Sequence, residues 1–297
     1  MNKEKLKKVA YFIGKSLGIL GLVFVFYKLS QEYTLATFVE KFSLTVDIFP
    51  ALLMLNLSSV LIGIYVWHIM LLNYANKPFP YVTSYYFFAK TEISKYLPGN
   101  VFHFIGRQVL ASKLSISQVE MAKISVLFSF FLLTGTIFSS TIFALLSTGI
   151  PNYILTLMVL SSIIMLIVIM FTYTSFPISK KVYMNMSLAV SVALQGIMLG
   201  IIVMYLNDRG FSVELFFQCV SIYIVSWLIG FVTPGASGGL GIREGTFMAI
   251  TAYLHINISS DIIIFSVLLV RLINIFVDIV IYLSTFMLEN KIRELEV

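Results

Sequence analysis

The sequence predicts an all-α polytopic integral membrane protein, with about six full spans and two re-entrant broken-helix hairpins arranged as two inverted repeats. Three observations carry this prediction. Only 11% of the 297 residues are charged while 59% are hydrophobic, whereas a soluble domain carries roughly 25% charge. The mean hydropathy is correspondingly high, at +0.96, and apolar runs of bilayer length recur along the whole chain. Two of the longest runs are interrupted by proline and glycine.

A bilayer core needs roughly 20 apolar residues in helical form. Runs at about 9–29, 46–72, 119–147, 152–174, 186–206 and 261–288 meet that length. The first follows a basic head, MNKEKLKK. It is read as an uncleaved span, because SQEYTLATF after it offers no small-residue cleavage site. The interrupted regions are about 79–110, broken at KYLPGN, and about 214–254, broken at VTPGASGGLG. The polar connections, about 30–45 and 107–123, are too short to fold as a soluble unit. Residues 1–297 therefore read as a single membrane domain.

The two breaks share a spacing. Pro98-Gly99 is followed by seven residues and then Arg107, and Pro234-Gly235 by seven residues and then Arg243. Each arginine has a glycine shortly before it, Gly106 and Gly241. The order span, span, broken segment, span occurs twice, with offsets of 143, 140, 136 and 142 between corresponding starts. This predicts a first repeat at about 9–149 and a second at about 150–290. If each broken segment enters and leaves on one face, each repeat has three crossings and the second is inverted. The basic residues agree with that topology: Lys3, Lys5, Lys7, Lys8, Lys77, Lys113, Lys123, Lys180, Lys181, Lys291 and Arg293 all fall on the side of the N-terminus. The expectation is a multi-pass protein of the cell membrane with both termini cytoplasmic. Paired broken helices in inverted repeats are a transporter signature, with the substrate bound where the breaks meet.

Several function classes are disfavoured. The net charge of +6 is spread without a basic stripe, so nucleic acid is not an expected partner. The single cysteine, Cys219, allows neither an internal disulfide nor a cysteine-based metal centre. No second ligand stands at metal spacing from His103, and no P-loop for ATP hydrolysis is present. No metal and no cofactor are expected. Nothing in the sequence sets an oligomeric state.

The candidate site residues cluster at the breaks. Arg243 and Glu244 close GFVTPGASGGLGIREG, residues 230–245, and open the apolar run GTFMAITAYL. Helix N-terminal amides attract phosphate, and glycines let a head group approach the backbone. Gly235, Gly238, Gly239 and Gly241 are therefore candidate head-group contacts, with Arg243 as a bidentate cation. The blander alternatives are that Arg243 snorkels to the interface or pairs with Glu244 as a structural lock. At the first break the corresponding group is Pro98, Gly99, His103 and Arg107. Arg107 could instead anchor at the interface, and His103 could simply be a packed, hydrogen-bonded residue. Glu92 and Lys95, at i,i+3, read either as an ion pair or as a proton relay. In the last span Arg271, Asn274 and Asp278 form one polar face, turned into the bundle. Arg271 and Asp278 lie roughly 10 Å apart along the axis. Either Asn274 bridges them or each meets a partner from another segment.

KYLPGNVFHFIGR and TPGASGGLGIREG resemble the two hallmark stretches of the membrane domain of lysylphosphatidylglycerol synthases, which also occurs alone in flippase-like proteins. The resemblance extends over roughly residues 10–290, and PG-x4-LG-x-REG is its more specific part. It implies a translocator that moves a lipid with a phosphate-containing or charged head group between leaflets, such as an aminoacyl-phospholipid or a lipid-linked saccharide. Some members carry a cytosolic aminoacyl-transfer domain after the membrane part; the sequence stops at Val297, so the stand-alone form is expected here. Stand-alone relatives are linked to polysaccharide and glycolipid pathways, which makes a glycosyltransferase or lipid-modifying enzyme the expected class of protein partner. Two alternatives stand beside this. One is an intramembrane head-group transferase using Glu92, His103 and Glu244 as acid–base groups. The other is an accessory subunit of a cell-envelope glycan assembly complex. No nucleophile–base pattern and no acidic cluster for Mg²⁺ is present, so no enzymatic activity is expected.

Overall fold

The computed structural model of the protein describes residues 35–295 except 76–77, 97–101, 112–113, 115, 173–174, 208–209, 234–238 and 240. All regular structure among them is helical. In chain order the helices are α1 (Leu35–Leu44), α2 (Phe49–Tyr74), α3 (Tyr81–Glu92), α4 (Phe102–Ala111), α5 (Gln118–Leu145), α6 (Asn152–Phe171), α7 (Ile178–Leu206), α8 (Val213–Val232), α9 (Ile242–Tyr253) and α10 (Ser260–Leu295). Tight 3-10 turns at Val46–Ile48 and Ile93–Tyr96 lead into α2 and out of α3. Among the described residues six stretches are long and apolar enough to cross a membrane: Val46–Tyr74, Gln118–Leu145, Asn152–Phe171, Ile178–Leu206, Val213–Val232 and Ser260–Glu289. The protein is an all-α, multi-pass membrane protein.

Local chemistry sets where these helices start. Pro50 stands in the first turn of α2, and Pro151 and Pro177 precede α6 and α7; proline at a helix start has no amide hydrogen to waste. Ser117 and Glu120 form a reciprocal capping box at α5, and the Ser212 hydroxyl accepts from the Leu215 amide at α8; each satisfies amides that the helix itself leaves open.

The expected spans recur with two differences. The run expected at 186–206 begins earlier, at Ile178. Its first turn is polar, but Lys181 is buried and donates to the Thr172 carbonyl, which lets the helix extend. The two interrupted regions are also unequal. The first divides into short arms of 12 and 10 residues, α3 and α4. The second divides into α8, with 20 residues, and α9, with 12. At 1.5 Å per residue α8 reaches about 30 Å, a full bilayer core. Its sequence holds no proline, and its only glycine, Gly230, comes close to its end, so nothing shortens it. The span expected at 9–29 lies outside the described residues.

At the centre stands α7, packed against α2, α5, α8 and α10. α3 lies on α2 and α10, α4 on α3 and α5, and α9 on α8 and α10. α6 touches mainly α5 and exposes Leu157, Ile164 and Phe171, the last by 83%; such an apolar surface suits lipid and not water. Two large apolar cores form among the described residues, beside a small third one of Val192, Val220 and Ile224. One gathers Leu52, Leu199, Phe265 and Leu269, the other Trp67, Met70, Phe128 and Phe131. Along α2 and α7 the polar residues Asn56, Ser59, Ser191 and Gln195 fall between the stretches that feed the two cores. Ser59 and Ser191 join the two helices there, each hydroxyl donating to the other residue's carbonyl at 2.8 and 2.9 Å.

α5 and α7 approach closely at Gly135. A Cβ at Gly135 would lie 2.9 Å from the Ala189 amide nitrogen and 3.0 Å from the Asn185 carbonyl oxygen. Backbone cannot move aside as a side chain can, so Gly135→Val is expected to cost about 1–3 kcal/mol, read as a lower unfolding temperature in detergent. Gly63→Ala, where the added carbon meets nothing within 4 Å, is expected to leave that temperature unchanged. Equal effects of the two substitutions would contradict the packing described.

Candidate functional site

A cavity of about 200 Å³ opens among α2, α3, α4, α5, α7, α8, α9 and α10, between the two apolar cores. Of the residues singled out in the sequence, Glu92, Lys95, His103, Arg243, Arg271, Asn274 and Asp278 line it. Arg107, Glu244, Gly239 and Gly241 stand outside its wall. Pro98, Gly99, Gly235 and Gly238 lie outside the described residues.

The polar face of α10 organises one side of the cavity. Each of its three members meets a different element. Arg271 donates from Nη1 to Glu244 Oε1 on α9 at 2.6 Å. Asn274 accepts from the Asn56 amide on α2. Asp278 accepts from the Tyr96 hydroxyl at 2.6 Å and pairs with Lys95 at 2.8 Å, both in the turn after α3. Arg271 and Asp278 thus do not bridge through Asn274. The last helix ties down both broken segments and α2.

The two arginines of the shared spacing have different surroundings. Arg107 is 4% exposed and donates from Nη2 to Glu92 Oε2 at 2.9 Å. Its guanidinium carbon lies 4.4 Å from the Trp67 ring centre and 5.2 Å from that of Phe88. The negative faces of such rings stabilise a buried cation. Glu92 also accepts from Lys95 at 3.2 Å, so Arg107, Glu92, Lys95 and Asp278 form one chain of alternating charge. Arg107 closes that chain from behind the cavity wall.

Arg243 takes a different path. Its neighbour Glu244 is 1% exposed and pairs with Arg271, not with Arg243. Among the described residues Arg243 has no carboxylate partner, and its Nε is buried without a hydrogen bond. Only the Trp227 ring lies beneath it, 5.4 Å from the guanidinium carbon. The side chain runs through a slot left by glycines. A Cβ at Gly230 would come 2.6 Å from Arg243 Cγ, and one at Gly239 would come 2.8 Å from its Nε. Gly239 also has φ +72°, a conformation side chains disfavour. Both glycines are therefore required for Arg243 to reach the cavity.

Other functional residues were not visible as such in the sequence. Tyr96 stands inside KYLPGN but gave no signal of its own. Each of the chain's two tryptophans, Trp67 and Trp227, lies under one of the two arginines; their scarcity was the available hint. Gln195 and Tyr223 line the cavity from α7 and α8 and read in sequence as interruptions in apolar runs.

These features define a polytopic α-helical membrane protein with a charged cavity among its helices. Against known protein families and curated proteins the chain finds no match. Among the described residues no group of three or more His, Cys, Asp and Glu is placed to hold a metal.

The Glu244–Arg271 pair is nearly dry, with side-chain exposures of 2% and 12%. Removing Arg271 strands the buried Glu244 carboxylate, so Arg271→Ala is expected to cost about 3–5 kcal/mol, measured by unfolding in detergent. The double variant Glu244→Leu with Arg271→Met replaces the pair by apolar volume and is expected to recover most of that loss. A double variant as unstable as Arg271→Ala would contradict the pairing.

Proposed function

We propose that the protein is a lipid translocator: it moves a lipid with a phosphate-containing or charged head group between leaflets. The observation that carries this reading is Arg243, a cation that lines the cavity with no carboxylate partner among the described residues. A buried charge without a partner is costly and marks a binding or transport role. A phosphate oxygen pair fits the planar guanidinium fork. The head group would occupy the cavity while its acyl or prenyl chains stay in lipid.

The remaining charges favour translocation over chemistry. Glu92 and Glu244, the residues considered as acid–base groups, are held by Lys95 and Arg107 and by Arg271. These ion pairs occupy the carboxylates in holding the helices together. Lys95 bridges Glu92 on its own segment and Asp278 on α10, which suits a contact exchanged as one group of helices rocks against another. The resemblance of the two broken stretches to flippase-like membrane domains points the same way. In this reading the protein resides in the cell membrane with cytoplasmic termini, and a lipid-modifying enzyme or glycosyltransferase supplies or consumes its substrate.

Purified protein in liposomes carrying a trace of fluorescent phospholipid tests the proposal, with loss of inner-leaflet protection from a reductant as the readout. The protein is expected to speed transbilayer movement. Arg243→Ala is expected to lower the rate about tenfold or more. Arg243→Lys should retain part of it, because an ammonium keeps the charge and loses the fork. Arg107→Ala should instead lower the unfolding temperature, since Glu92 and the aromatic cage lose their cation. Full transport by Arg243→Ala would overturn the assignment.

A further inference from the structure

The charges around the cavity resolve into three pairs and a remainder. Glu92 holds Arg107 at 2.9 Å, Asp278 holds Lys95 at 2.8 Å and Glu244 holds Arg271 at 2.6 Å. Arg243 is the fourth cation and has no carboxylate among the described residues. The stretches 97–101 and 234–240, which flank the cavity segments in sequence, read LPGNV and PGASGGL and contain no ionisable side chain to balance it. Among the described residues the site therefore carries one net positive charge, set in an apolar bundle where an uncompensated charge is disfavoured.

Two residues that line the same cavity each carry a buried polar atom without a hydrogen-bond partner. Gln195 donates from Nε2 to Ser59 Oγ at 3.2 Å, which leaves its Oε1 buried and unbonded. His103 is 8% exposed and its Nδ1 is likewise unbonded. Gln195 Oε1 can only accept a hydrogen bond, so it requires a donor such as a hydroxyl. His103 Nδ1 can serve a hydroxyl or an ester oxygen according to its tautomer.

Building on the translocator reading, we propose that the cavity selects lipids whose head group is a polyol joined through one phosphodiester, with a net charge of −1 and no ammonium of its own. The phosphate cancels the charge of Arg243, and a polyol hydroxyl satisfies Gln195 Oε1. A zwitterionic head group brings no net charge and leaves the site at +1. An aminoacyl-phosphatidylglycerol with a lysyl group brings a second excess cation. The charge count ranks the three classes in that order.

The test uses one host liposome composition with traces of phosphatidylglycerol, phosphatidylethanolamine or lysyl-phosphatidylglycerol, each labelled on the same acyl chain. Phosphatidylglycerol is expected to move about tenfold faster than either of the others. Arg243→Gln should slow it and bring the three rates close together, and Gln195→Leu should slow phosphatidylglycerol more than phosphatidylethanolamine. Equal rates in the unaltered protein would overturn the charge selection and leave the translocator reading standing, as would a preference for lysyl-phosphatidylglycerol. Movement of none of the three above the protein-free rate would overturn the translocator reading itself. Added glycerol phosphate or inorganic phosphate should inhibit only weakly. Inhibition as strong as that by unlabelled phosphatidylglycerol would show that the site takes free phosphate esters, against a lipid head group.

Discussion

Charge carried into an apolar bundle must be neutralised by a partner or by a ligand, and this constraint accounts for most of the arrangement at the centre of the protein. Seven ionised side chains are gathered near the cavity, and six of them satisfy each other. The pairs join segments far apart in sequence: Lys95 to Asp278 and Glu244 to Arg271 each cross from a broken segment to α10. The polar face of the last helix thereby fixes where the broken segments sit. An apolar α10 could pack equally well in several registers, whereas Arg271, Asn274 and Asp278 each require one partner. Arg243 is the exception that gives the cavity its character.

The two breaks show how one local pattern reaches different ends. Proline, glycine and a following arginine occur at the same spacing in both. At the first break, Glu92 sits one short helix away and Trp67, Phe88 and Phe128 enclose the guanidinium. At the second, the adjacent carboxylate turns to Arg271, and Gly230 and Gly239 open a slot toward the cavity. One arginine is consumed in structure, and the other has no carboxylate partner among the described residues.

Much of the fold was legible in the sequence, because bilayer-length apolar runs and proline at helix starts are local signals. The inward polar face of α10 was legible too, from helical periodicity alone. What was not legible depends on distant residues. The partners of Arg271 and Asp278 come from other segments, and spacing within one helix says nothing about them. The inequality of the two broken regions was missed because the glycine-rich break drew attention from the uninterrupted run before it. Arg107 and Arg243 could not be told apart, since their difference lies in Glu92, Trp67 and Gly230 and not in their own motifs. Pro98, Gly99, Gly235 and Gly238 lie outside the described residues.

The central claim is that Arg243 is the charge left for a head group. A structure of the protein determined in nanodiscs of mixed anionic and zwitterionic phospholipids addresses it most directly. The account predicts head-group density within hydrogen-bonding distance of the Arg243 guanidinium, continuous with acyl density leaving the bundle. Arg243 bonded to a carboxylate of the protein, over a cavity without such density, would contradict it.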